Sequence, residues 1–201
     1  STLTRDALGR ITASTDAEGR ITRYTYSAQG QPTAVRLPGG EMVTYGYNAL
    51  GLLTSARDPG GHTWTFAHSP MGQLESRTDP LGHQWTYDYN PRGFLAHVTF
   101  PAGDETTMTY DETGNLIRQQ HSVGPDLAFA YDALNRIIAT HGISLTYNAS
   151  SQVIATTDRE TGHVFGATYD DGGRLEAVSY PDGPFTVTYR YNARDLLTRV
   201  S

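Results

Sequence analysis

A motif that returns every twenty-one residues constrains the fold of this chain more than any other feature. The motif reads Tyr-(Asp/Asn/Ser)-x-x-Gly, followed two residues later by an aliphatic residue, and its first position falls at 5, 26, 47, 68, 89, 110 and 131. Arg5 and His68 stand in place of the tyrosine in two copies. Self-similarity at a fixed period of this length is typical of an array of small supersecondary units. We therefore expect a tandem repeat.

The period drifts after residue 131. One shortened turn brings the next tyrosine to 147, and single-residue insertions place the following two at 169 and 191. Ten copies are visible, the first incomplete, so we interpret residues 1–201 as one array that is a fragment of a larger protein. The predicted structural repeat anchors are Tyr26, Gly30, Tyr47, Gly51, Gly72, Tyr89, Gly93, Tyr110, Gly114, Tyr131, Tyr147, Tyr169 and Tyr191.

A second turn signal lies halfway between these motifs. It occupies residues 16–19, 37–40, 58–61, 79–82 and 100–103. Two turns in each repeat leave about seven residues between them, which is the usual length of a strand and too short for a typical helix. Asp or Asn bonds its own backbone and glycine accepts positive φ, so each repeat is predicted to be one β-hairpin. The motif turns are predicted near 27–30, 48–51, 69–72, 90–93, 111–114 and 132–135.

The predicted fold class is all-β: tandem hairpins in one long antiparallel sheet, with no helix of three or more turns within residues 16–140. A lone hairpin is marginal in water, so neighbours must complete each unit. A twisted sheet of more than about ten strands tends to curl or split, which favours a curved or spiralling wall. Unpaired edge strands invite association, so we expect residues 1–201 alone not to act as a functional monomer.

One face of the strand before each motif tyrosine is aromatic, because successive side chains alternate between the two faces of a sheet. Trp85, Tyr87 and Tyr89 share one face, while Thr86 and Asp88 lie on the other. Aromatic pairs on neighbouring strands each stabilise a sheet by roughly 0.2–1 kcal/mol. The predicted aromatic face contains Tyr45, Trp64, Phe66, Trp85, Tyr87 and Phe129. The side chains of Tyr24, Tyr45, Phe66, Tyr87 and Phe129 are expected to be more buried than the small residues that precede them.

Composition excludes several classes of function. Cysteine is absent, which removes disulfides, thiolate metal sites and cysteine nucleophiles. The formal net charge is −6 with both signs interspersed, so no electrostatic footprint for nucleic acid or an anionic membrane is visible. No apolar run approaches the roughly 20 residues that span a bilayer. We predict no nucleic-acid partner, no membrane insertion by this segment and no cofactor.

The histidines do not form a predicted metal site. His62, His83 and His163 follow the glycine of the second turn, but matching slots in successive hairpins lie roughly 10 Å apart. Zinc ligands lie only ~2 Å from the metal, so these histidines are predicted to be exposed turn residues. His68 replaces a motif tyrosine, and we expect its ring to be packed and hydrogen-bonded on the aromatic face.

No catalytic constellation is predicted either. The chain has no Gly-x-Ser-x-Gly elbow and its serines are scattered, which disfavours a hydrolase triad. The acidic pairs at 104–105 and 170–171 lack the spacing of a calcium loop and are predicted to be solvated turns. A glycosylation sequon at 148–150 occupies the repeated turn slot. The sequence thus predicts no catalytic, metal-binding or cofactor-binding residue.

The dipeptides Tyr110-Asp111, Tyr131-Asp132 and Tyr169-Asp170, with their spacing over ten copies, resemble the Rhs/YD-repeat family along essentially the whole chain. The resemblance implies a sheet that spirals into a hollow shell. In bacterial members the shell encloses a toxic C-terminal domain and is delivered to target cells. The bacterial contexts are insecticidal toxin complexes and type VI secretion effectors used in bacterial competition, and animal teneurins use a similar shell in cell adhesion.

Bacterial shells of this family commonly end in a plug region with a self-cleaving aspartyl protease site that bears paired Asp-Pro-x-Gly-like motifs. Residues 58–61 and 79–82 match that pattern superficially. Both segments occupy the ordinary turn slot of the twenty-one-residue register. We interpret them as hairpin turns.

The resemblance implies an encapsulating segment of a secreted bacterial effector, cytoplasmic in the producer before delivery. Its implied partners are neighbouring shell segments, an enclosed C-terminal toxin polypeptide and secretion-apparatus proteins. A carbohydrate-binding or cell-adhesion YD-repeat module is the alternative, because aromatic sheets also bind sugars. Packing of Trp64 and Trp85 beneath adjacent residues would favour the structural role, and an exposed aromatic platform would favour ligand binding.

Overall fold

The computed structural model describes residues 1–181, 183 and 185–201 and divides into two compact units, residues 1–106 and 107–201. Each unit is built from antiparallel strands. Residues 16–140 contain no helix, as the spacing of the turns predicts. Within the described part of the chain, no helix is long and apolar enough to cross a membrane.

In the first unit, ten strands pair with their neighbours in the order of the sequence. They are β1 (Thr2–Arg5), β2 (Ile11–Thr15), β3 (Ile21–Tyr26), β4 (Pro32–Arg36), β5 (Met42–Tyr47), β6 (Leu53–Arg57), β7 (Thr63–His68), β8 (Leu74–Thr78), β9 (Gln84–Tyr89) and β10 (Leu95–Thr99). The next strand is β11 (Glu105–Tyr110). Glu105 was predicted to lie in a turn with Asp104, but it opens this strand because the preceding turn already closes at Gly103.

In the second unit, β12 (Leu116–His121) pairs with β13 (Leu127–Ala128). An eight-stranded sheet follows, again in sequence order. It contains β14 (Ala130–Tyr131), β15 (Ile137–Thr140), β16 (Ile143–Tyr147), β17 (Val153–Asp158), β18 (Val164–Tyr169), β19 (Leu175–Ser179), β20 (Thr186–Tyr191) and β21 (Leu197–Val200). Phe129 lies between β13 and β14, where its amide nitrogen donates to the Ile117 carbonyl at 2.9 Å.

The drift of the period has a local cause in the second unit. Thr140 pairs directly with Ile143, so the turn between β15 and β16 contains only two residues. The next mid-repeat turn, between β17 and β18, is longer by one residue, because the Asp158 amide donates to the carbonyl of His163, five positions on. The amide of Arg159 in this longer turn donates to the Gly142 carbonyl in the short one at 2.7 Å. The two irregular turns therefore support each other.

The motif turns and the regular mid-repeat turns share one geometry. In the motif turn, the Asn48 amide donates to the Leu52 carbonyl at 3.0 Å and the Gly51 amide donates to the Asn48 carbonyl at 2.9 Å. The Asn48 Oδ1 atom accepts from the amides of Leu50 and Leu52. The mid-repeat turn repeats this pattern around Asp79. Gly51 has a φ of 79°, which is why glycine recurs at this point of the turn.

Burial is shallow along the whole array. Among the described residues only Val98, at 9% exposure, and Thr106, at 4%, are classed as buried. The motif tyrosines and most of the aromatic face are half-buried. Hydrophobic stabilisation scales with the apolar area removed from water, so backbone pairing and contacts between neighbouring hairpins carry much of the stability.

Candidate functional site

The motif tyrosines join successive hairpins through a hydrogen bond. The Tyr89 hydroxyl donates to the Leu74 carbonyl oxygen at 3.0 Å, and the Tyr47 hydroxyl donates to the Pro32 carbonyl at 2.9 Å. The same bond joins Tyr26 to Ile11, Tyr131 to Leu116, Tyr147 to Ile137 and Tyr169 to Val153. In each case the acceptor opens the second strand of the preceding hairpin. The sequence identified the tyrosine and this strand position separately, as packing anchors, but not the bond between them.

Burial favours the protonated, hydrogen-donating form of two of these hydroxyls. It raises the pKa of Tyr47, and the neighbouring Tyr45 adds to this effect. Burial likewise raises the pKa of Tyr89, assisted by Tyr87, although the hydrogen bond with the Leu74 backbone acts in the opposite direction. The hydroxyls of Tyr47 and Tyr89 are therefore protonated at neutral pH.

A second lateral link starts at the residue that follows the left-handed position of the motif turn. Where this residue is polar we call it a latch residue, and the latch residues are Arg10, Gln31, Gln73, Asn115, Arg136, Gln152 and Arg174. The Gln152 Nε2 atom donates to the Gly173 carbonyl of the next motif turn at 2.8 Å. The guanidinium of Arg136 lies 4.5 Å from the ring centroid of Tyr147 and adds a cation–π contact. Turns are thus tied to turns as well as strands to strands.

Three motif turns have a residue other than glycine at the left-handed position, namely Asn135 (φ 59°), Ser151 (φ 62°) and Asp195 (φ 59°). Each of their side chains accepts a hydrogen bond from a latch residue. The bonds run from Asn115 to Asn135 at 2.9 Å, from Arg136 to Ser151 at 2.9 Å and from Arg174 to Asp195 at 2.6 Å. The lateral bond therefore offsets the strain of a left-handed backbone at these positions.

The two Asp-Pro-x-Gly segments lie in turns. Asp58 Oδ2 is 2.9 Å from His62 Nδ1, and Asp79 Oδ2 is 2.8 Å from His83 Nδ1. The hydrogen bond from the His62 side chain lowers the pKa of Asp58. Burial alone would raise the pKa of Asp79, but hydrogen bonds from His83 and from backbone amides lower it below its ordinary value. Each carboxylate is engaged by its own turn and stabilises that turn.

Trp64 and Trp85 stack on each other at the centre of the first unit. Their ring centroids are 6.0 Å apart with an interplanar angle of 27°. The guanidinium carbon of Arg77 lies 4.4 Å from the Trp85 centroid and 5.9 Å from that of Trp64. Trp64 is 36% exposed and Trp85 is half-buried. Stacking covers one face of each ring and Arg77 lies against Trp85, while Trp64 is exposed, so the pair is only partly packed beneath its neighbours.

Arg77 is a residue that the sequence analysis missed. Arg77 lies on β8, where it pairs with Phe66 of β7 on one side and with Trp85 of β9 on the other. The corresponding position holds Val35 in one hairpin, Ala56 in the next and Val98 beyond Arg77. The signal was a charged residue in an otherwise aliphatic slot, and the period makes it readable, because positions 35, 56, 77 and 98 are each twenty-one residues apart.

The same hairpin contains two buried polar atoms without a partner. His68 Nδ1 and Arg77 Nε are buried, and neither makes a hydrogen bond within the described residues. The expectation that His68 is hydrogen-bonded is wrong for this nitrogen, because the imidazole replaces a phenol whose hydroxyl reaches farther. Both irregularities fall on the hairpin of β7 and β8.

The described residues hold no group of three or more His, Cys, Asp or Glu side chains that could bind a metal ion. The candidate sites of this chain are therefore the lateral links between hairpins and the Trp64–Arg77–Trp85 cluster. An array of identical hairpins, joined edge to edge by the same side chains, defines a β-hairpin repeat protein.

Comparison with protein families shows which repeat this is. The family model described as RHS Repeat matches residues 5–42, 26–63, 47–84, 72–105 and 89–126, which together cover more than half of the chain. The chain belongs to the RHS repeat family. No curated protein matches it in sequence.

Solved structures share the fold. The crystal structure of TcdB2-TccC3-TEV matches with a TM-score of 0.79 at 16% identity, covering 96% of this chain and 12% of the other. That of TcdB2-TccC3 has a TM-score of 0.58 at 13% identity and covers 94% of this chain and 14% of the other. TcdB2-TccC3 without its hypervariable C-terminal region gives 0.59 at 16% identity, with coverages of 96% and 12%. The chain thus spans about an eighth of the length of the chains it matches.

Proposed function

We propose that this chain is a wall segment of an Rhs-type β shell that encloses a toxic C-terminal polypeptide in a secreted bacterial effector. The observation that carries the proposal is the tyrosine-to-carbonyl bond, which recurs in both units, for example from Tyr26 to Ile11 and from Tyr169 to Val153. A joint that recurs between most neighbouring hairpins lets hairpins be added one after another, as a wall requires. In this role the chain performs no catalysis.

The solved structures support an enclosed and variable cargo. One of the matched complexes is TcdB2-TccC3 without its hypervariable C-terminal region, so a variable C-terminal region belongs to that assembly. A constant wall next to a variable region suits encapsulation. The proposed partners are further shell segments, the enclosed polypeptide and proteins of the export route. The proposed location is the producer cytoplasm before delivery and the exterior after export.

Protease protection in the full-length protein tests this proposal. We expect the C-terminal region to resist a protease in the intact protein and to be cleaved after the tyrosine joint is removed by a combined Tyr26→Phe, Tyr47→Phe and Tyr89→Phe variant. The matched control is Tyr45→Phe with Tyr87→Phe, because these tyrosines lie on the same face. Ready cleavage of the C-terminal region in the intact protein would overturn enclosure, and equal resistance of the joint variant would show that protection does not depend on the tyrosine joint.

A further inference from the structure

We propose that Arg77, Trp64 and Trp85 form a binding site for a side-chain carboxylate of an acidic polypeptide segment. The site is a property of the hairpin formed by β7 and β8 together with β9, and its existence does not depend on enclosure by a shell. Three independent observations support it: the position of Arg77 in the sheet, its lack of an acidic partner, and the arrangement of the two indole rings.

The position of Arg77 is anomalous in the repeat. In the second strand of each hairpin, one position pairs with an aromatic residue of the first strand on one side and with the next hairpin on the other. Val35 occupies this position between Tyr24 and Val43. Ala56 occupies it between Tyr45 and Trp64. In the next row Arg77 stands between Phe66 and Trp85. A long cation on an aromatic face costs desolvation that valine avoids. That cost indicates a use for the charge.

The charge of Arg77 is uncompensated by the protein. Arg10, Arg136 and Arg174 each pair with an aspartate four residues earlier, at 2.6–2.7 Å. Arg77 has no carboxylate partner within the described residues, and its contacts are with the rings of Trp64 and Trp85. Its Nε is buried and makes no hydrogen bond. A ligand would therefore meet the two Nη groups, which can form the two parallel hydrogen bonds that a carboxylate accepts.

The surroundings select a single carboxylate on a polypeptide. In its row of the sheet Arg77 is flanked by Phe66 and Trp85, so the row offers one positive charge, which suits a group with one negative charge. The stacked rings, 6.0 Å apart, cover one face of each other. The indoles also exclude water from one side of the guanidinium, which strengthens an ion pair formed there. Apolar parts of a peptide chain would lie over the half-buried rings.

Tryptophan fluorescence reports on this site directly, because the two tryptophans of the 201-residue chain are Trp64 and Trp85. Titration with a hexaglutamate peptide should change the emission in a saturable manner, whereas hexaglutamine should not. Arg77→Val introduces the residue found at the equivalent positions 35 and 98. It should weaken hexaglutamate binding by about tenfold or more, since a bidentate ion pair is lost. Arg77→Gln serves as a second variant that keeps polarity. Circular dichroism verifies that each variant is folded.

Arg57→Gln is the matched control, because Arg57 is exposed on the opposite face of the adjacent hairpin, paired with Thr44 and Thr63. It should bind hexaglutamate as the unaltered chain does. Competition by inorganic phosphate or glucuronate as strong as that by hexaglutamate would show an anion site without preference for a peptide and overturn the proposal. So would unchanged hexaglutamate binding in folded Arg77→Val, an equal loss in Arg57→Gln, or no binding by the unaltered chain.

Discussion

The hydroxyl of Tyr89 donates a hydrogen bond to the carbonyl oxygen of Leu74 at 3.0 Å, across the boundary between two repeats. Tyr87 lies two residues earlier on the same strand and face, and pairs with Val98. The two phenols have similar surroundings, but the Tyr89 hydroxyl closes the joint to the preceding hairpin. This difference between neighbouring tyrosines separates the role of the motif position from that of the aromatic face.

Removing the Tyr89 hydroxyl should weaken the array measurably. We expect Tyr89→Phe to lower the free energy of unfolding by about 1 kcal/mol, since the Leu74 carbonyl loses a partner at a half-buried position. Tyr87→Phe should change it by less than about 0.5 kcal/mol. Urea denaturation of the two variants checks the comparison. Equal effects of both changes would mean that the hydroxyl bond contributes nothing beyond ring packing.

His68 marks a repeat in which the joint is missing, and restoring it should stabilise the chain. His68→Tyr places a hydroxyl where Tyr47 and Tyr89 have theirs and removes the buried, unpaired Nδ1. We expect a gain of about 1 kcal/mol or more, measured as a higher midpoint of urea unfolding.

His68→Phe is the control for that experiment, because it removes the unpaired nitrogen without adding a hydroxyl. The difference between the tyrosine and phenylalanine variants gives the contribution of the restored bond to the Leu53 carbonyl, the acceptor at the equivalent position. If phenylalanine stabilises the chain as much as tyrosine, relief of the unpaired nitrogen accounts for the whole effect and the joint does not form there.

Acid should loosen the turns. Burial would raise the pKa of Asp111, but hydrogen bonds from the side chains and amides of Asn115 and Thr113 outweigh it and lower the pKa from 3.8 to about 2. A carboxylate with a depressed pKa in the folded state stabilises the fold above about pH 4, and this stabilisation is lost as the pH falls towards 2.

Asp111→Asn should therefore flatten the dependence of the melting temperature on pH between about 4 and 2. The variant should fold normally at neutral pH, because Asn48 and Asn90 already accept the same amide bonds in their own turns. Thermal melts by circular dichroism at several pH values measure this. An unchanged acid slope in the variant would show that the ionised form of Asp111 has no role in the acid response.

The sequence was sufficient to predict the hairpins and their turns, because turn chemistry at residues such as Asn48 and Gly51 is local and repeats without interruption. Its period also indicated the irregular turns of the second unit. The lateral bonds could not be predicted in the same way. Whether Tyr89 reaches Leu74 depends on the stagger of neighbouring hairpins, and the bulge beside each motif turn sets that stagger.

The contacts of Arg77 and His68 were not predicted, because they depend on how side chains of neighbouring strands line up. Arg77 stands in a slot that the period aligns with Val35 and Val98, but its contacts with the two indole rings depend on how the strands pair. His68 was recognised as a substitution at a motif position, but its unpaired nitrogen depends on ring length and strand spacing. Features that arise within one turn were therefore predictable, and features that join two hairpins required the structure.

The non-glycine turn at Asn135 offers a test of the latch. Its backbone is left-handed, with φ at 59°, and its Oδ1 accepts a hydrogen bond from Asn115 Nδ2 at 2.9 Å. Asn135→Ala keeps the steric strain and removes the bond, so we expect a loss of about 1–2 kcal/mol in the free energy of unfolding. Asn135→Gly removes the strain together with the bond, and the two effects should largely cancel. Urea unfolding of the pair decides the matter: if glycine costs as much as alanine, the bond from Asn115 carries the whole effect and backbone strain is negligible at this turn.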